Sequence, residues 1–317
     1  AHEYTITYQK GVDANDEPMD NASLSTTSGS YNIVNGFTLA TASVSGYEFT
    51  GWRVESVTNT GDATTGGWST GAVLTATTTI GKGNYGDLVL VATWEAREYT
   101  ITYDANDDDL LSTFTGTLPE DQTVSFDEEV TIANELTLTG YTFLYWSTSP
   151  LGESAGKRYD AGTSQTNLLT PTSDGTSITL YAIWQIQNFS LTVTIAGGED
   201  VGIASITINR VGEGDIETQI GSVTAEQGSV TINDIDFGTR IELTYTLTDG
   251  YSFRAWGTNV SGVTIGNTNT FNMPASNMTV TGYGQPIQYQ VVYNAGDGGA
   301  INGETSFAVN VNFGGTG

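Results

Sequence analysis

Apolar and polar residues alternate along many short stretches of this chain. Residues 4–8 read Tyr-Thr-Ile-Thr-Tyr, and the same period of two runs through 190–195 and 241–247. Threonine, valine, isoleucine and tyrosine dominate these stretches, and glycine, asparagine and aspartate separate them. This pattern predicts β-strands that bury one face. The pairs Asn35-Gly36 and Asn302-Gly303 suit tight hairpin turns, because a type I′ turn needs positive φ at both central residues.

Three sequence landmarks recur in constant order, which is typical of a tandem array. We divide the chain accordingly into repeat one (1–96), repeat two (97–186), repeat three (187–287) and a terminal segment (288–317). The terminal segment is the opening hairpin of a fourth repeat or a docking segment. The landmarks are an opening strand that starts at 4, 99, 189 and 289, a middle motif Gly-Tyr-x-Phe-x-x-Trp that starts at 46, 140 and 250, and a closing strand at 88–94, 178–184 and 278–283.

Helical periodicity is weak throughout the chain. The strongest candidate is 127–136, which has acidic residues in its first turn. Its residues Val130, Thr131 and Ile132 are all β-branched, which lowers helix propensity. We therefore expect a mainly β protein, α+β at most, with no more than one short helix or helical turn per repeat between the opening hairpin and the middle motif.

Aromatic residues mark the middle motif and the closing strand of each repeat. In the middle motif the tyrosine and the phenylalanine are two residues apart and share one face of a strand. A unit of about ninety residues has little core volume, and one large ring buries about 150–250 Å². We therefore predict a structural core that contains Tyr47, Phe49, Trp52, Trp94, Tyr141, Phe143, Trp146, Trp184, Tyr251, Phe253, Trp256 and Tyr283.

The ordered landmarks resemble those of the internalin B-repeat family of bacterial cell-surface proteins. Repeat two carries the family pattern most fully, in its segments 99–106, 140–146 and 178–184. Repeat one carries a Gly/Thr-rich insertion at 59–86, and repeat three resembles the divergent branch of the family, with extra residues at 196–240. The resemblance implies tandem small β-grasp-like (ubiquitin-like) domains in an elongated array, in host proteins that are secreted or form surface stalks and adhesins.

Charge and composition disfavour several kinds of partner and indicate a location for the protein. The 317 residues include 36 acids and 9 bases, for a formal net charge of -27, and no cysteine. Nine bases cannot neutralise many phosphates, so nucleic acid and anionic lipid are poor partners. No stretch approaches eighteen consecutive apolar residues, and we expect no membrane insertion. An acidic chain rich in threonine, glycine and asparagine favours an extracellular location, secreted or at the bacterial cell surface.

The sequence offers little for catalysis. The only histidine is His2, in a linker. No Gly-x-Ser-x-Gly sequence stands in a suitable strand-to-helix context, and the Gly-rich stretches lack the lysine of a phosphate loop. With 36 acids, no single carboxylate pair stands out as a glycosidase pair. An isopeptide bond would need a buried lysine, and Lys10, Lys82 and Lys157 fall at unequal places in the repeats. We predict that the protein is not an enzyme and needs no cofactor.

Acidic loops follow the opening strands at 13–17, 104–109 and 294–297. Oxygen ligands of this kind suit calcium. A solvated hairpin tip also favours aspartate and asparagine, because both residues accept turn geometry. We favour the turn interpretation, and calcium is the alternative. The candidate ligands in repeat two are Asp104, Asn106, Asp107, Asp108 and Asp109.

These observations predict a non-enzymatic extracellular segment that acts as a semi-rigid stalk or filament subunit. The linkers at 95–98 and 185–188 are short, and three domains of about 30 Å in line reach on the order of 100 Å. The alternative is an adhesin module that binds a host protein or glycan through the insertions at 59–86 and 196–240. Edge strands and the terminal segment are candidates for self-association. Because 288–317 match only the start of a repeat, we expect a piece of a longer array.

Overall fold

The structure, a computed structural model, describes residues 1–13, 15–59, 67–75, 79–172, 176–197 and 202–314. Parts of both insertions, 60–66, 76–78 and 198–201, lie outside the described residues, as do 315–317. The described chain is nearly all β and forms several small sheets, which confirms the predicted fold class. It contains no α-helix among these residues, and two short 3₁₀ turns at Gly152–Ser154 and Glu213–Asp215.

The chain packs into two compact units. The first unit includes repeat one and most of repeat two, and the second includes repeat three and the terminal segment. Two short segments of repeat two belong to the second unit. The first unit comprises Ala1–Asn106, Gly116–Leu136 and Leu144–Ile183, and the second comprises Asp107–Thr115, Thr137–Phe143 and Trp184–Gly317.

Repeat one is built around a five-stranded sheet with the order β3-β1-β9-β6-β7. Strands β2 with β5 and β4 with β8 form two small additional pairs. The strands are β1 (Tyr4–Gln9), β2 (Ser23–Leu24), β3 (Ser28–Tyr31), β4 (Phe37–Thr38), β5 (Ala42–Ser43), β6 (Tyr47–Thr58), β7 (Val73–Thr75), β8 (Thr79–Ile80) and β9 (Asp87–Ala96).

Repeat two has the corresponding sheet in the order β11-β10-β16-β13-β14, with a separate pair of β12 and β15. The helix candidate at 127–136 is not a helix: this segment forms β12 and extended chain. Its β-branched residues alternate in burial, with Val130 and Ile132 inside and Thr131 outside. The strands are β10 (Glu98–Asp104), β11 (Gln122–Ser125), β12 (Glu129–Thr131), β13 (Tyr141–Ser147), β14 (Arg158–Tyr159), β15 (Ser164–Thr166) and β16 (Thr176–Ile186).

Repeat three contains two four-stranded sheets, ordered β20-β17-β24-β22 and β19-β18-β21-β23. The insertion at 196–240 supplies the hairpin of β18 and β19, whose residues Ile206, Ile208 and Val223 are fully buried. This hairpin therefore contributes to the core, and recognition of a partner through the insertion stays a prediction. The strands are β17 (Asn188–Ile195), β18 (Ile203–Val211), β19 (Glu217–Thr224), β20 (Ser229–Asp236), β21 (Arg240–Leu247), β22 (Tyr251–Thr258), β23 (Thr270–Asn272) and β24 (Met278–Pro286).

The terminal segment forms one antiparallel hairpin of β25 (Gln288–Asn294) and β26 (Ser306–Asn312). Among the described residues, neither strand pairs with a strand of repeat three. Its attachment to repeat three therefore depends on contacts other than edge-strand pairing.

The opening and closing strands of each repeat lie side by side and parallel. This arrangement occurs in β1 with β9, β10 with β16, and β17 with β24. The register is also constant: it aligns Ile6 with Leu88, Ile101 with Ile178, and Leu191 with Met278. The parallel pair is central in each sheet, so both strands bury alternate apolar side chains.

The middle-motif tryptophans of repeats one and two are fully buried, and their indole groups are hydrogen bonded. Trp52 and Trp146 have no exposed surface. Their indole N–H groups donate to the carbonyl oxygens of Ala40 (2.8 Å) and Ala133 (3.0 Å), as a buried donor requires. Further ring contacts join Phe49 to Trp94 (5.5 Å), Phe143 to Trp184 (5.6 Å) and Phe253 to Trp256 (4.9 Å).

Tyr283 is an exception among the predicted core residues, since 39% of it is exposed. The register of the closing strands explains this difference. Trp94 lies six residues after Leu88, on the same face of its strand, whereas Tyr283 lies only five residues after the equivalent Met278. Because strand faces alternate, the tyrosine lies on the opposite face.

Candidate functional site: the junctions between repeats

A single residue links each repeat to the next. Strand β9 ends at Ala96 and β10 begins at Glu98, which leaves Arg97 as the linker. Gln187 and Ile287 occupy the same place at the second and third junctions. The first junction lies within the first compact unit, and the other two lie within the second.

Both backbone groups of each linker residue are hydrogen bonded, in the same way at all three junctions. The linker N–H donates to the glycine carbonyl of the preceding middle motif, and the linker carbonyl accepts from a phenylalanine N–H of the following repeat. The first bonds are Arg97 to Gly46 (2.9 Å), Gln187 to Gly140 (2.9 Å) and Ile287 to Gly250 (2.8 Å), and the second are Phe126 to Arg97, Phe237 to Gln187 and Phe313 to Ile287 (2.9 Å each).

The phenylalanine ring lies directly over this glycine. A Cβ built on Gly46, Gly140 or Gly250 would lie 2.4, 2.2 or 2.1 Å from the ring of the following repeat. The three glycines also have φ of +85°, +79° and +81°, in the left-handed region that glycine enters without strain. The glycine of the middle motif is thus required both by its own backbone and by the ring that covers it.

The tyrosine after each glycine holds the same ring from the side. Ring centroids are 5.7 Å apart for Tyr47 and Phe126, 6.0 Å for Tyr141 and Phe237, and 6.3 Å for Tyr251 and Phe313. All three pairs are edge-to-face, the arrangement that the aromatic quadrupole favours. These tyrosines, predicted as core residues of their own repeats, contact the following repeat as well as their own.

The local sequence explains how each phenylalanine reaches its glycine. The hairpin register pairs Tyr99 with Val124, Phe189 with Ile235, and Tyr289 with Val311, and the phenylalanine is the second residue after each of these partners. The next residue has positive φ in every case: Asp127 (65°), Gly238 (75°) and Gly314 (76°). The chain turns immediately after the phenylalanine.

The first junction has additional polar contacts. The Tyr47 hydroxyl donates to Asp127 Oδ2 (2.6 Å) and lies 3.4 Å from Asp13 Oδ2. Burial, followed by these carboxylates, raises the pKa of Tyr47 well above its ordinary value. The pKa of Asp13 is lowered, chiefly because its carboxylate accepts from the backbone N–H of Glu17 (2.9 Å). Met19 is buried beside the tyrosine.

A cleft of about 500 Å³ lies beside Tyr47. The described residues that line it include the carboxylates of Asp13, Glu17, Asp20 and Asp127, and among them there is no lysine, arginine or histidine. Side chains of both repeats, Tyr47 and Phe126, meet at its wall.

Two carboxylates of the acidic loop of repeat two accept hydrogen bonds from backbone N–H groups and so stabilise turns. Asp104 Oδ1 accepts from the backbone N–H of Asn106 (2.7 Å), and Asp107 Oδ2 accepts from the backbone N–H of Phe114 (2.7 Å). Asp108 and Asp109 are exposed. Within the described ranges no three acidic or histidine side chains gather as a metal site would require. Calcium binding at this loop stays a prediction.

The remaining candidate residues are exposed. His2 packs against the ring of Tyr4 (4.8 Å). The Lys10 ammonium donates to the carbonyl of Asp20, and the Lys157 ammonium lies 4.9 Å from the ring centre of Tyr159. Lys82 is on the surface. The lysines thus lack the burial that an intramolecular isopeptide bond needs.

The sequence analysis missed the three phenylalanines of the junctions. A usable signal was present, since Val124-Ser125-Phe126-Asp127 and Val311-Asn312-Phe313-Gly314 occupy corresponding places. What the sequence did not provide was the partner, which lies 79, 96 and 62 residues away along the chain at the three junctions.

Comparison with known proteins identifies two repeat domains. Residues 99–183 match the Listeria-Bacteroides repeat domain, and residues 218–284 match the divergent InlB B-repeat domain. These segments lie in repeats two and three respectively. The resemblance drawn from the sequence landmarks is confirmed for both.

Two proteins of Evansella cellulosilytica are similar to parts of this chain. One, provisionally named a Gly-rich membrane protein, is 32% identical over 117 residues, which is 36% of this chain and 12% of that protein. The other, provisionally named a membrane protein, is 29% identical over 148 residues, which is 46% of this chain and 19% of that protein. The chain thus matches less than a fifth of either relative. Among the described residues of this chain, no helix has the length and apolar character that crossing a membrane requires.

Three solved structures show a weak likeness. The Bacillus anthracis TIE protein has a TM-score of 0.32 at 11% identity, over 89% of this chain and 51% of its own. The pilus adhesin SpaC from Lactobacillus rhamnosus GG has a TM-score of 0.24 at 11% identity, over 90% and 44%. The streptococcal ancillary pilin has a TM-score of 0.21 at 10% identity, over 90% and 100%. TM-scores this low carry no argument.

Sequence landmarks and family matches thus agree on the same two segments. The chain contains two tandem repeats of the internalin B-repeat type, a Listeria-Bacteroides repeat domain at 99–183 and a divergent InlB B-repeat domain at 218–284.

Proposed function

We propose that this chain is a non-enzymatic extracellular segment that acts as a semi-rigid stalk or filament subunit of a bacterial cell-surface protein. The match to this repeat family supports an extracellular structural or adhesin role. The observation that carries the stalk proposal is the threefold recurrence of one junction, with the same linker length, hydrogen bonds and ring contact each time.

The contacts at a junction oppose bending at the linker residue. Bending at the linker would break two backbone hydrogen bonds, each worth about 0.5–1.5 kcal/mol net. It would also separate an edge-to-face ring pair, worth about 0.5–1.5 kcal/mol beyond its area. A single linker residue has only two soft dihedrals with which to absorb the motion. Each junction therefore resists bending by a few kcal/mol, which is enough to keep one orientation dominant.

The charge of the chain suits a structural role outside the cell. A net charge of -27 keeps copies of the chain apart in solution. Association of separate chains would then depend on specific contacts. The junctions between repeats do not face this repulsion between chains, because each joins two parts of one chain.

Small-angle X-ray scattering of the full chain tests the proposal. Three repeats in line predict a maximum dimension on the order of 100 Å.

The triple variant F126A/F237A/F313A removes the three rings of the junctions. We expect it to show a broader distribution of interatomic distances, while circular dichroism shows that the repeats stay folded. The triple variant T102A/T192A/V292A, with changes on the strands rather than at the junctions, is the control. A compact globular profile for the unaltered chain would refute the stalk.

A further inference from the structure

Tyr283 is an exposed aromatic residue on the outer face of one sheet of repeat three. Among the described residues it stands outside the hydrophobic cluster of that repeat. Its ring lies over Gly257 of the neighbouring strand β22, since a Cβ built on Gly257 would lie 3.0 Å from Tyr283 Cε2. Repeat two has Ile183 at the same register position, and there Gly152 of the 3₁₀ turn lies close to the side chain. The ring of Tyr283 is therefore accessible and is not used by the core.

A regular array of hydroxyl side chains lies on the same face of this sheet. Strand β17 contributes Thr192 and Thr194, and the strand on each side of it places a hydroxyl residue opposite both of them. Neighbouring strands are about 4.7–4.9 Å apart, and alternate residues of one strand are about 6.6–6.8 Å apart. Tyr283 continues the array along β24, two residues after Thr281. The hydroxyl face consists of one row of Thr231, Thr192 and Thr279 and a second row of Ser229, Thr194 and Thr281.

The side chains of the hydroxyl face can bond a ligand from the outer side. All six are at least partly exposed. The hydroxyls of Thr192 and Thr231 bond to each other at 2.9 Å, and each hydroxyl has one donor and two acceptor lone pairs. This pair therefore keeps one donor for a ligand. Val193 and Val280 are fully buried on the inner side of the same strands, so the core holds the two central rows in place.

Charge and residue type indicate the chemistry of the partner. The hydroxyl face and Tyr283 carry no charged side chain, although the chain has a net charge of -27. The buried centre of a protein interface is rich in large apolar residues, and Tyr283 is the one such residue of this set. A sugar ring presents apolar C–H groups to an aromatic face and hydroxyl groups to donors and acceptors. A neutral glycan fits both features.

We propose that the hydroxyl face and Tyr283 bind a neutral glycan chain. One sugar packs on the ring of Tyr283, and the sugars beside it exchange hydrogen bonds with the threonine rows. This inference goes beyond the stalk proposal, because it assigns a ligand to repeat three. Its failure would leave the scattering test of the stalk unaffected.

The second sheet of repeat three offers a matched comparison within the same domain. Its outer face also carries two hydroxyl rows, but the next outward residue of β21 is Glu242, where the first sheet has an aromatic residue. We therefore expect this comparison face to bind no neutral glycan. Its rows are Thr224, Ser205 and Thr246, and Ser222, Thr207 and Thr244.

Titration of the full chain with neutral hexasaccharides of glucose, mannose, galactose and N-acetylglucosamine tests the proposal. At least one should shift the amide NMR signals of Thr192, Thr279 and Tyr283 saturably, while the signal of Thr207 on the comparison face stays in place. A heparin-derived hexasaccharide is the anionic control, since Arg254 of β22 is exposed. No saturable shift with any neutral hexasaccharide would refute the proposal. Binding of the anionic sugar alone, lost in Arg254→Gln, would refute it equally.

Substitutions separate the ring from the hydroxyls. Tyr283→Ala should weaken binding of the same hexasaccharide by about tenfold, and Tyr283→Phe by about twofold or less, because phenylalanine keeps the ring. Thr192→Val removes one hydroxyl and should weaken binding by about threefold, whereas Thr207→Val on the comparison face should leave it unchanged. Slow hydrogen exchange of the Leu243 amide, which donates to the carbonyl of Asn269, shows that each variant is folded. Equal effects within either pair of variants would overturn the proposal.

Discussion

The glycine of the middle motif is the residue on which each junction depends. Gly46, Gly140 and Gly250 combine a left-handed backbone with a ring placed where a side chain would begin. The two requirements are separable, because other glycines of the chain have positive φ and open space around them. Gly228, with φ of +73° and no atom within 4 Å of a built Cβ, is such a position.

Gly140→Ala should therefore destabilise the second compact unit more than Gly228→Ala does. Both substitutions place alanine in the left-handed region, which costs about 1–2 kcal/mol. Only Gly140→Ala also displaces the Phe237 ring, and overpacking of this kind adds about 1–3 kcal/mol. Chemical denaturation monitored by tryptophan fluorescence measures both. Equal losses of unfolding free energy would show that the ring does not matter.

Tyr47 at the first junction should make the free energy of unfolding of the protein sensitive to alkaline pH. The pKa of Tyr47 is higher in the folded protein than its ordinary value of 10.0. Below pH 10 the folded and unfolded states both keep the phenolic proton of Tyr47, so its full contribution to the unfolding free energy is present. As the pH rises above 10 the unfolded state loses the proton first, and the stabilisation is lost progressively towards the folded pKa. Tyr47→Phe should show a flatter decline of the unfolding free energy above pH 10, and identical slopes would contradict the assignment.

At the scale of the element, the terminal hairpin docks on repeat three through one ring and two backbone hydrogen bonds. Phe313 is 46% exposed, so the contact is smaller than that of a core phenylalanine. The hydrogen bonds from Ile287 to Gly250 and from Phe313 to Ile287 are also part of the contact. The position of the hairpin thus depends strongly on the side chain of Phe313.

Phe313→Ala should release the hairpin while repeat three stays folded. The expected cost is about 1–2 kcal/mol, below the 3–5 kcal/mol of a fully buried phenylalanine. Hydrogen exchange of the Ile287 and Phe313 amides should accelerate by roughly tenfold or more, since about 1.4 kcal/mol corresponds to a factor of ten. The control is Val292→Ala, on the opposite face of the hairpin. Unchanged exchange in Phe313→Ala would show that another contact holds the hairpin.

At the scale of the whole molecule, the cores of repeats one and three are separate. One cluster joins Ile6, Trp52 and Leu90 with their neighbours, and another joins Leu191, Ile206 and Met278 with theirs. Among the residues that the structure describes, neither cluster contains a residue of the other repeat. Damage to one core should therefore not reach the other.

Trp52→Ala tests this independence. Loss of a fully buried tryptophan costs about 3–5 kcal/mol, and it also leaves the carbonyl of Ala40 without its indole donor. We expect repeat one to unfold at a lower denaturant concentration, while the amides of β17 and β24 keep their hydrogen-exchange protection. A single transition that lowers protection in all three repeats equally would show one cooperative core instead.

Much of the architecture could be predicted because its causes are local. Alternation in 4–8 or 190–195 specifies strands, since the strand period is two residues. Three landmarks in fixed order specify the repeat family, and the β-branched residues at 130–132 already weakened the one helix candidate. Even the exposure of Tyr283 follows from counting five residues from Met278 rather than six.

Only the tertiary structure decided what the landmark residues do. Tyr47 and Phe49 are two residues apart in the sequence, yet Tyr47 packs against Phe126 of the next repeat while Phe49 packs against Trp94 of its own. The motif gives the residue types, but the partner of each ring depends on where a single-residue linker places the next repeat. The sequence by itself thus determined the strands, the repeats and their family, because these depend on local patterns. The junctions depended on contacts between residues far apart in the chain, which no local pattern specifies.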